Sequence, residues 1–186
     1  PPRSTLFPYT TLFRSHHADN ETAKAWDDMV ETAFALKQIA QEFQVYLAIE
    51  TEARNIVNSA QKARKLLDTM NSPWFKIILD PANLFRPETA HPSFAISTLQ
   101  EAFGLLGEDI VLAHGKDIMP GGEMNFTSAG RGMVAYEEFL KLLDQYNYRG
   151  NIILHGMHDE SEFAFSVAFM NELMQRRDEA AAQSKA

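Results

Sequence analysis

The stretch "SPWFKIILDPANLF" (residues 72–85) places a short apolar run before a carboxylate, Asp80, and a proline, and this combination decides the fold. The run is too short for a helix, and its lack of polar alternation is typical of a strand that is buried on both faces. Three other segments repeat the pattern, namely "VYLAIE" (residues 45–50), "DIVLAH" (109–114) and "NIILH" (151–155). The sequence therefore predicts four buried strands, each ending in a side chain that can bind a metal ion.

Helical segments separate these strands along the chain. Apolar residues recur at helical spacing, and Asn58 with Gln61 forms a candidate capping box before the second helix. The predicted helices cover residues 21–43, a segment following Asn58, Phe94 to Leu106 with Gly107 as its stop, Tyr136 to Tyr146, and about Ser161 to Arg176. Alternating strands and helices predict an α/β fold with a parallel sheet, either doubly wound or a barrel.

The four strand ends carry Glu50, Asp80, His114 and His155, a set of oxygen and nitrogen donors. In a barrel the carboxyl ends of all parallel strands meet at one mouth, so these four side chains can surround one ion. Such donors suit a divalent metal ion, Mn, Mg, Co or Zn. Any one of the four, taken singly, is more often a turn former or a helix cap, but four strand ends out of four favour a metal site.

Several longer segments carry a family resemblance. They are "LAIETEARNIVNSAQKARKLLD", "KIILDPANLF", "IVLAHGKD", "GRGMVAYEEFLKLL" and "YRGNIILHGMHDESEFAFSVAFM", in this order between about His17 and Leu173. They resemble the sugar phosphate isomerase/epimerase family, whose domain is the xylose isomerase-like TIM barrel. The resemblance implies a partial (β/α)8 barrel, namely its last four strands and their helices, over residues 16–176. A polar tail at 177–186 is expected to fray into solvent.

The resemblance also implies roles for the strand-end residues. Glu50, Asp80 and His114 fall on the family's metal ligands at the ends of its fifth, sixth and seventh strands. His155 stands where the family usually has a glutamate that serves both as a ligand and in acid/base catalysis. An imidazole can bind metal or exchange a proton near neutral pH, so His155 is either the fourth ligand or the acid on the opposite face of the substrate.

The implied reaction is the isomerisation or epimerisation of a sugar or sugar phosphate. It moves a proton at a carbon next to a carbonyl through an enediolate, with a metal ion stabilising the charge. Glu50 is the candidate base, because a dry barrel mouth can raise the pKa of a carboxyl towards working pH. Lys116 is expected either to hold a phosphate or polarise the carbonyl, or to be a solvated loop lysine paired with Asp117. Asn83 and Arg86 are candidate substrate contacts on the loop after Asp80.

The first residues resemble something other than a protein family. The segment from Thr5 to Ser15 matches the in-frame translation of a common sequencing adaptor, so Pro1–Ser15 is interpreted as non-native and native sequence is expected from about His16. A complete barrel needs about 250 residues, which predicts that the first four strands are missing. The chain is then a truncated fragment, expected to be inactive alone, whose unpaired edge strand favours aggregation or a homo-oligomer.

Composition limits the remaining function classes. The 186 residues are 45% hydrophobic and 23% charged, contain no cysteine and include no apolar run long enough to span a membrane. These features predict one cytoplasmic domain. A net charge of -8 opposes binding to nucleic acid, which disfavours the alternative of an endonuclease IV-like metal-dependent hydrolase. A non-catalytic metal-binding barrel is the other alternative, because His155 replaces an essential glutamate. The expected partner is a small-molecule sugar or sugar phosphate.

Overall fold

The computed structural model describes residues 17–183, and within them helices and strands alternate. The helices are α1 (Ala23–Phe43), α2 (Ala60–Met70), α3 (Ala95–Leu106), α4 (Tyr136–Gln145) and α5 (Glu160–Gln183). The strands are β1 (Leu47–Glu50), β2 (Phe75–Leu79), β3 (Ile110–Ile118), β4 (Phe126–Ser128) and β5 (Ile152–Leu154). The segment Pro1–Ser15, for which the sequence predicts poor packing, lies outside the described residues.

The four predicted strands form a parallel sheet in the order β1, β2, β3, β5. This order follows the chain without reversal, which is the arrangement of successive barrel strands, whereas a doubly wound sheet reverses its order at a switch point. Over the described residues the sheet does not close on itself. The predicted partial barrel is therefore confirmed, and strand order decides between the two folds that periodicity leaves open.

The hydrophobic core packs against one face of strand β2, because alternate residues of a strand share a face. Its residues Phe75, Ile77 and Leu79 are fully buried, and Leu66 of α2 and Phe103 of α3 belong to the same core cluster. On the other face Ile78 is buried and Lys76 is half-buried, which explains why the strand is apolar except at Lys76. The core thereby fixes the direction of β2 and the position of Asp80, which follows it directly.

The structure contains a strand that was not predicted, β4, and a longer β3 than was predicted. β3 does not end at His114 but continues to Ile118, where its last residues pair antiparallel with β4. Lys116 lies opposite Ser128, and Ile118 lies opposite Phe126. This hairpin could not be predicted from the sequence, because a three-residue strand is too short to show a period. Lys116 is consequently a strand residue rather than a loop residue.

Helix ends also differ from the prediction. Residues 18–21 form a 3₁₀ turn, and α1 begins at Ala23 with Thr22 as its cap. The capping box of Asn58 and Gln61 is wrong: Ser59 is the cap, its hydroxyl accepting from the backbone N–H of Lys62 at 3.2 Å. Helix α5 continues to Gln183, beyond the expected stop near Arg176, and in this extension Nη1 of Arg177 lies 3.5 Å from Oδ2 of Asp144 in α4.

A charged cluster joins α2, β2 and the turn before β3. Asp109 accepts from Arg64 Nη1 at 2.9 Å and from Lys76 Nζ at 2.7 Å. Burial raises the pKa of the Asp109 carboxyl, but the hydrogen bonds from Lys76 and Arg64 outweigh this effect and hold its pKa below the usual range. The ionised carboxylate is thus favoured by the folded state.

Replacing Asp109 with asparagine is expected to lower the free energy of unfolding by about 1–3 kcal/mol near pH 7, because two cations lose their charged acceptor. A depressed pKa stabilises the fold above the unfolded value of about 3.9, and this contribution disappears as pH falls through the folded value. Urea titrations should therefore show the two proteins converging below about pH 4. Asp68→Asn is the control, since Asp68 also pairs with Arg64 but is 65% exposed. A pH-independent difference would contradict this account.

Candidate active site

The predicted convergence of the strand ends is confirmed. Glu50 is the last residue of β1, Asp80 follows β2, His114 lies within β3, and His155 follows β5. Each side chain offers one donor atom, and these four atoms all lie within 4.8 Å of one another. The parallel sheet explains this, because residues 50, 80, 114 and 155 occupy neighbouring strands at the same end of the sheet.

Glu50 is held by two neighbouring side chains. Its Oε1 accepts from Asn83 Nδ2 at 3.0 Å and lies 3.1 Å from Nδ1 of His114. Asn83 belongs to a 3₁₀ turn, Pro81–Leu84, that starts directly after Asp80 and is itself buried. The turn therefore brings a side-chain amide onto the carboxylate of the adjacent strand.

Asp80 is a fully buried carboxylate, with 0% of its side chain exposed. Its Oδ1 accepts from the backbone N–H of Ala82 at 3.0 Å, while its Oδ2 lies 2.9 Å from Nε2 of His155 and 3.2 Å from Nζ of Lys116. Burial would raise the pKa of Asp80, but the hydrogen bond from His155 and the charges of Lys116, His155 and His114 lower it below the usual range. The site thus holds an ionised carboxylate away from water.

The two histidines contact each other across the site. Their ring centroids are 4.7 Å apart, and the rings meet edge to face at 67°. The side chain of His155 is 37% exposed, whereas that of His114 is 16% exposed. His155 is accordingly the member of the cluster that solvent or a ligand reaches most easily.

Lys116 joins the two carboxylate groups into one network. Its Nζ donates to Asn83 Oδ1 at 2.7 Å, in addition to its contact with Asp80, so Asn83 links Lys116 to Glu50. Only 12% of the side chain is exposed. The alternative of a solvated lysine paired with Asp117 is therefore wrong, because strand β3 points Lys116 into the site and Asp117 away from it.

Arg86, a candidate substrate contact, and His158, three residues after His155, contact residues outside the metal cluster. Arg86 donates to the backbone and side-chain oxygens of Asn58 at 3.2 and 3.3 Å, which ties the loop after β2 to the loop after β1. His158 precedes α5, and its backbone N–H donates to Glu162 at 2.8 Å, as expected for a residue at a helix start. A substrate contact by Arg86 stays a prediction.

Asp117 is a buried residue whose role sequence reasoning missed. Its carboxylate accepts from the backbone N–H groups of Ile118, Gly130 and Val134 at 2.9–3.0 Å, so it fixes the glycine turn after β4. Burial raises the pKa of Asp117, and these donors offset only part of that effect. A Cβ atom on Gly132 would collide with Asp117, which explains the second glycine of "GRG". The two glycines at 130 and 132 were the only feature of the sequence that could have indicated this close contact.

Parallel strands that bring two carboxylates and two imidazoles to one point define an α/β barrel protein with a metal-type cluster at the strand ends. A sequence model of the xylose isomerase-like TIM barrel family matches residues 8–181, and the chain belongs to that family. The match begins inside Pro1–Ser15, whose adaptor origin stays a prediction.

Two curated relatives carry sugar phosphate epimerase names. The chain is 29% identical over 149 residues to the putative L-ribulose-5-phosphate 3-epimerase SgbU of Haemophilus influenzae, which covers 77% of this chain and 48% of that protein. It is 30% identical over 145 residues to the L-ribulose-5-phosphate 3-epimerase UlaE of Escherichia coli O157:H7, covering 78% and 47% respectively. The chain thus spans about half the length of the curated relatives it matches.

A solved structure shares the fold. The xylose isomerase domain protein from Planctomyces limnophilus superposes with a TM-score of 0.61 at 22% identity, over 81% of this chain and 52% of that chain. This similarity agrees with the observed strand order. None of the helices in residues 17–183 combines the length and the apolar character needed to cross a bilayer.

Proposed function

We propose that this chain carries the metal-binding part of the active site of a divalent-metal-dependent epimerase or isomerase that acts on a sugar phosphate. The observation that carries the proposal is the cluster of Glu50, Asp80, His114 and His155, whose donor atoms lie within 4.8 Å of one another. The epimerase names of SgbU and UlaE favour a ketose phosphate such as L-ribulose 5-phosphate as the substrate.

The donor set fits a divalent ion. Carboxylate and imidazole ligands bind Zn at about 2.0–2.2 Å, so two ligands of one ion are at most about 4.4 Å apart. The observed limit of 4.8 Å is close enough for small side-chain movements to complete the site. Mn, Mg and Co accept the same oxygen-rich and nitrogen-containing donors. A bound ion would supply positive charge beside the substrate oxygens while the neighbouring carbon loses its proton.

The protein's own side chains would perform the proton transfer. Glu50 takes the proton from the carbon next to the carbonyl, and its hydrogen bond from Asn83 keeps the carboxylate in one orientation. His155, the most exposed member of the cluster, either completes the ligand set or returns a proton to the opposite face. Lys116 donates a hydrogen bond to the substrate oxygen, where negative charge develops.

The two alternatives have less support. An endonuclease IV-like hydrolase would bind a polyanion, which a net charge of -8 disfavours. A non-catalytic metal-binding barrel would need only the four cluster residues, and it gives no role to the buried ammonium of Lys116 beside them. No observation specific to either alternative favours it over an epimerase.

Metal analysis and assays separate the three functions. The 186-residue chain, loaded with Mn or Zn and passed through a desalting column, is expected to retain one ion per cluster by plasma mass spectrometry. Asp80→Asn should lose it, whereas Asp28→Asn, on the exposed surface of α1, should keep it. The proposed epimerase should convert L-ribulose 5-phosphate to its 3-epimer, and this conversion should stop when the metal is chelated.

Three results would count against this proposal. A chain that retains no metal contradicts the metal site. Retained metal without turnover across a panel of ketoses and ketose phosphates supports the non-catalytic barrel. Cleavage of DNA at abasic sites supports the hydrolase.

A further inference from the structure

The ammonium group of Lys116 is held on three sides. Its Nζ lies 2.7 Å from Asn83 Oδ1, 3.2 Å from Asp80 Oδ2 and 4.0 Å from the centre of the Phe126 ring. A lysine ammonium usually sits on a flexible stem in water, so three neighbours and an exposure of 12% are uncommon for this residue type. Two of the three neighbours are oxygen atoms, and the third is the face of an aromatic ring.

Phe126 reaches Lys116 because of the hairpin that the sequence did not predict. Lys116 lies opposite Ser128, and Phe126 is two residues before Ser128 on the same strand, so both side chains lie on one face. Diagonal neighbours of this kind are within reach when one side chain is aromatic and the other is long. The electron-rich face of the ring attracts the ammonium.

Gly156 makes room for the stem of the same lysine. It follows His155 directly and has a φ of +79°, in the region that favours glycine. A Cβ atom at this position would lie 2.8 Å from Cγ and 3.1 Å from Cδ of Lys116. Any other residue would therefore push the lysine stem out of its observed path.

We propose that Phe126 and Gly156 are positioning residues that hold the Lys116 ammonium beside Asp80, ready to donate to an oxygen of the bound substrate. The contact with the substrate rests on the proposed function, whereas the positioning of Lys116 does not. Without the aromatic face, one side of the ammonium opens to water and the side chain regains rotamers, which weakens its hold on Asp80 and Asn83. Strand β4 is then part of the active site although it holds no member of the metal cluster.

Acetylation of the 186-residue chain tests the positioning without any enzyme assay. N-hydroxysuccinimidyl acetate is added, and peptide mass spectrometry follows the labelling of Lys116 relative to Lys141, which is 68% exposed and serves as the internal reference. Phe126→Leu should raise the relative labelling rate of Lys116 several-fold, while Phe126→Tyr, which keeps an aromatic face, should match the wild type. Gly156→Ala provides a second variant that displaces the stem directly and should raise the rate as well.

Folding controls and kinetics complete the test. Circular dichroism should show that the variants keep their helices. Labelling of Lys116 in Phe126→Leu at the wild-type rate, or in Phe126→Tyr at the rate of the leucine variant, would overturn the positioning role. In the proposed epimerase, Phe126→Leu should lower kcat several-fold, whereas Phe126→Tyr should keep kcat near the wild-type value. Altered labelling with unchanged kcat and KM would overturn the substrate contact of Lys116 and leave the metal site and the epimerase proposal untouched.

Discussion

In the proposed epimerase, replacing Glu50 with glutamine is expected to lower turnover of a ketose phosphate such as L-ribulose 5-phosphate by about 10²–10⁴-fold, the usual effect of removing a general base. An amide has nearly the same shape as the carboxylate but cannot accept the proton from carbon. Its oxygen can still accept from Asn83, so the hydrogen bond at 3.0 Å should survive and the fold should be preserved. Steady-state kinetics measures turnover, and plasma mass spectrometry on the same sample measures metal content. Because Glu50 is also a proposed ligand, the loss of turnover counts as loss of the base only where the metal is retained.

The pH profile adds a second criterion for Glu50. A general base works only when deprotonated, so the rise of kcat/KM with pH on the acidic side should disappear in Glu50→Gln. Glu123→Gln is the matched control, because Glu123 is an exposed residue whose carboxylate accepts from the side chain of Asn125. Turnover within tenfold of the wild type, with the acidic limb retained, would rule out Glu50 as the base.

Replacing His155 with alanine is expected to lower metal affinity and turnover together. If His155 is the fourth ligand, the remaining donors Glu50, Asp80 and His114 hold the ion less tightly. If it is the acid on the opposite face instead, metal content stays near normal while turnover falls by about 10²–10⁴-fold and the pH profile loses one limb. We expect the first result, because His155 lies directly after β5, at the strand end where the family places a ligand.

His158→Ala provides the control for His155. His158 is three residues further along and exposed, and only its backbone N–H is used at the start of α5. Removing its ring should change neither metal content nor turnover. If His155→Ala keeps both its metal and its turnover, the site has only three functional members and His155 is a structural residue after β5.

Prediction from sequence was most successful for features that show as a local pattern of apolar residues. A strand shows as an apolar run when residues on both of its faces are buried, as Ile77 and Ile78 of β2 are, whereas Ile153 of β5 is 44% exposed. The residue that ends each apolar run is a potential metal ligand, and this is also visible in the sequence. The resemblance to the xylose isomerase-like barrel then assigned these residues to one site, and the convergence of their donor atoms within 4.8 Å agrees with it.

The sequence by itself thus determined the alternation of strands and helices and the identity of the four clustered side chains. Tertiary structure alone decided the strand order that makes the sheet a partial barrel, the pairing of β4 with the end of β3, and the surroundings of Lys116. The reason is physical: apolar periodicity reports local burial, whereas the contacts of Lys116 with Asp80, Asn83 and Phe126 join strands and turns that are distant along the chain. Such contacts depend on which strands become neighbours, and a local pattern does not specify that.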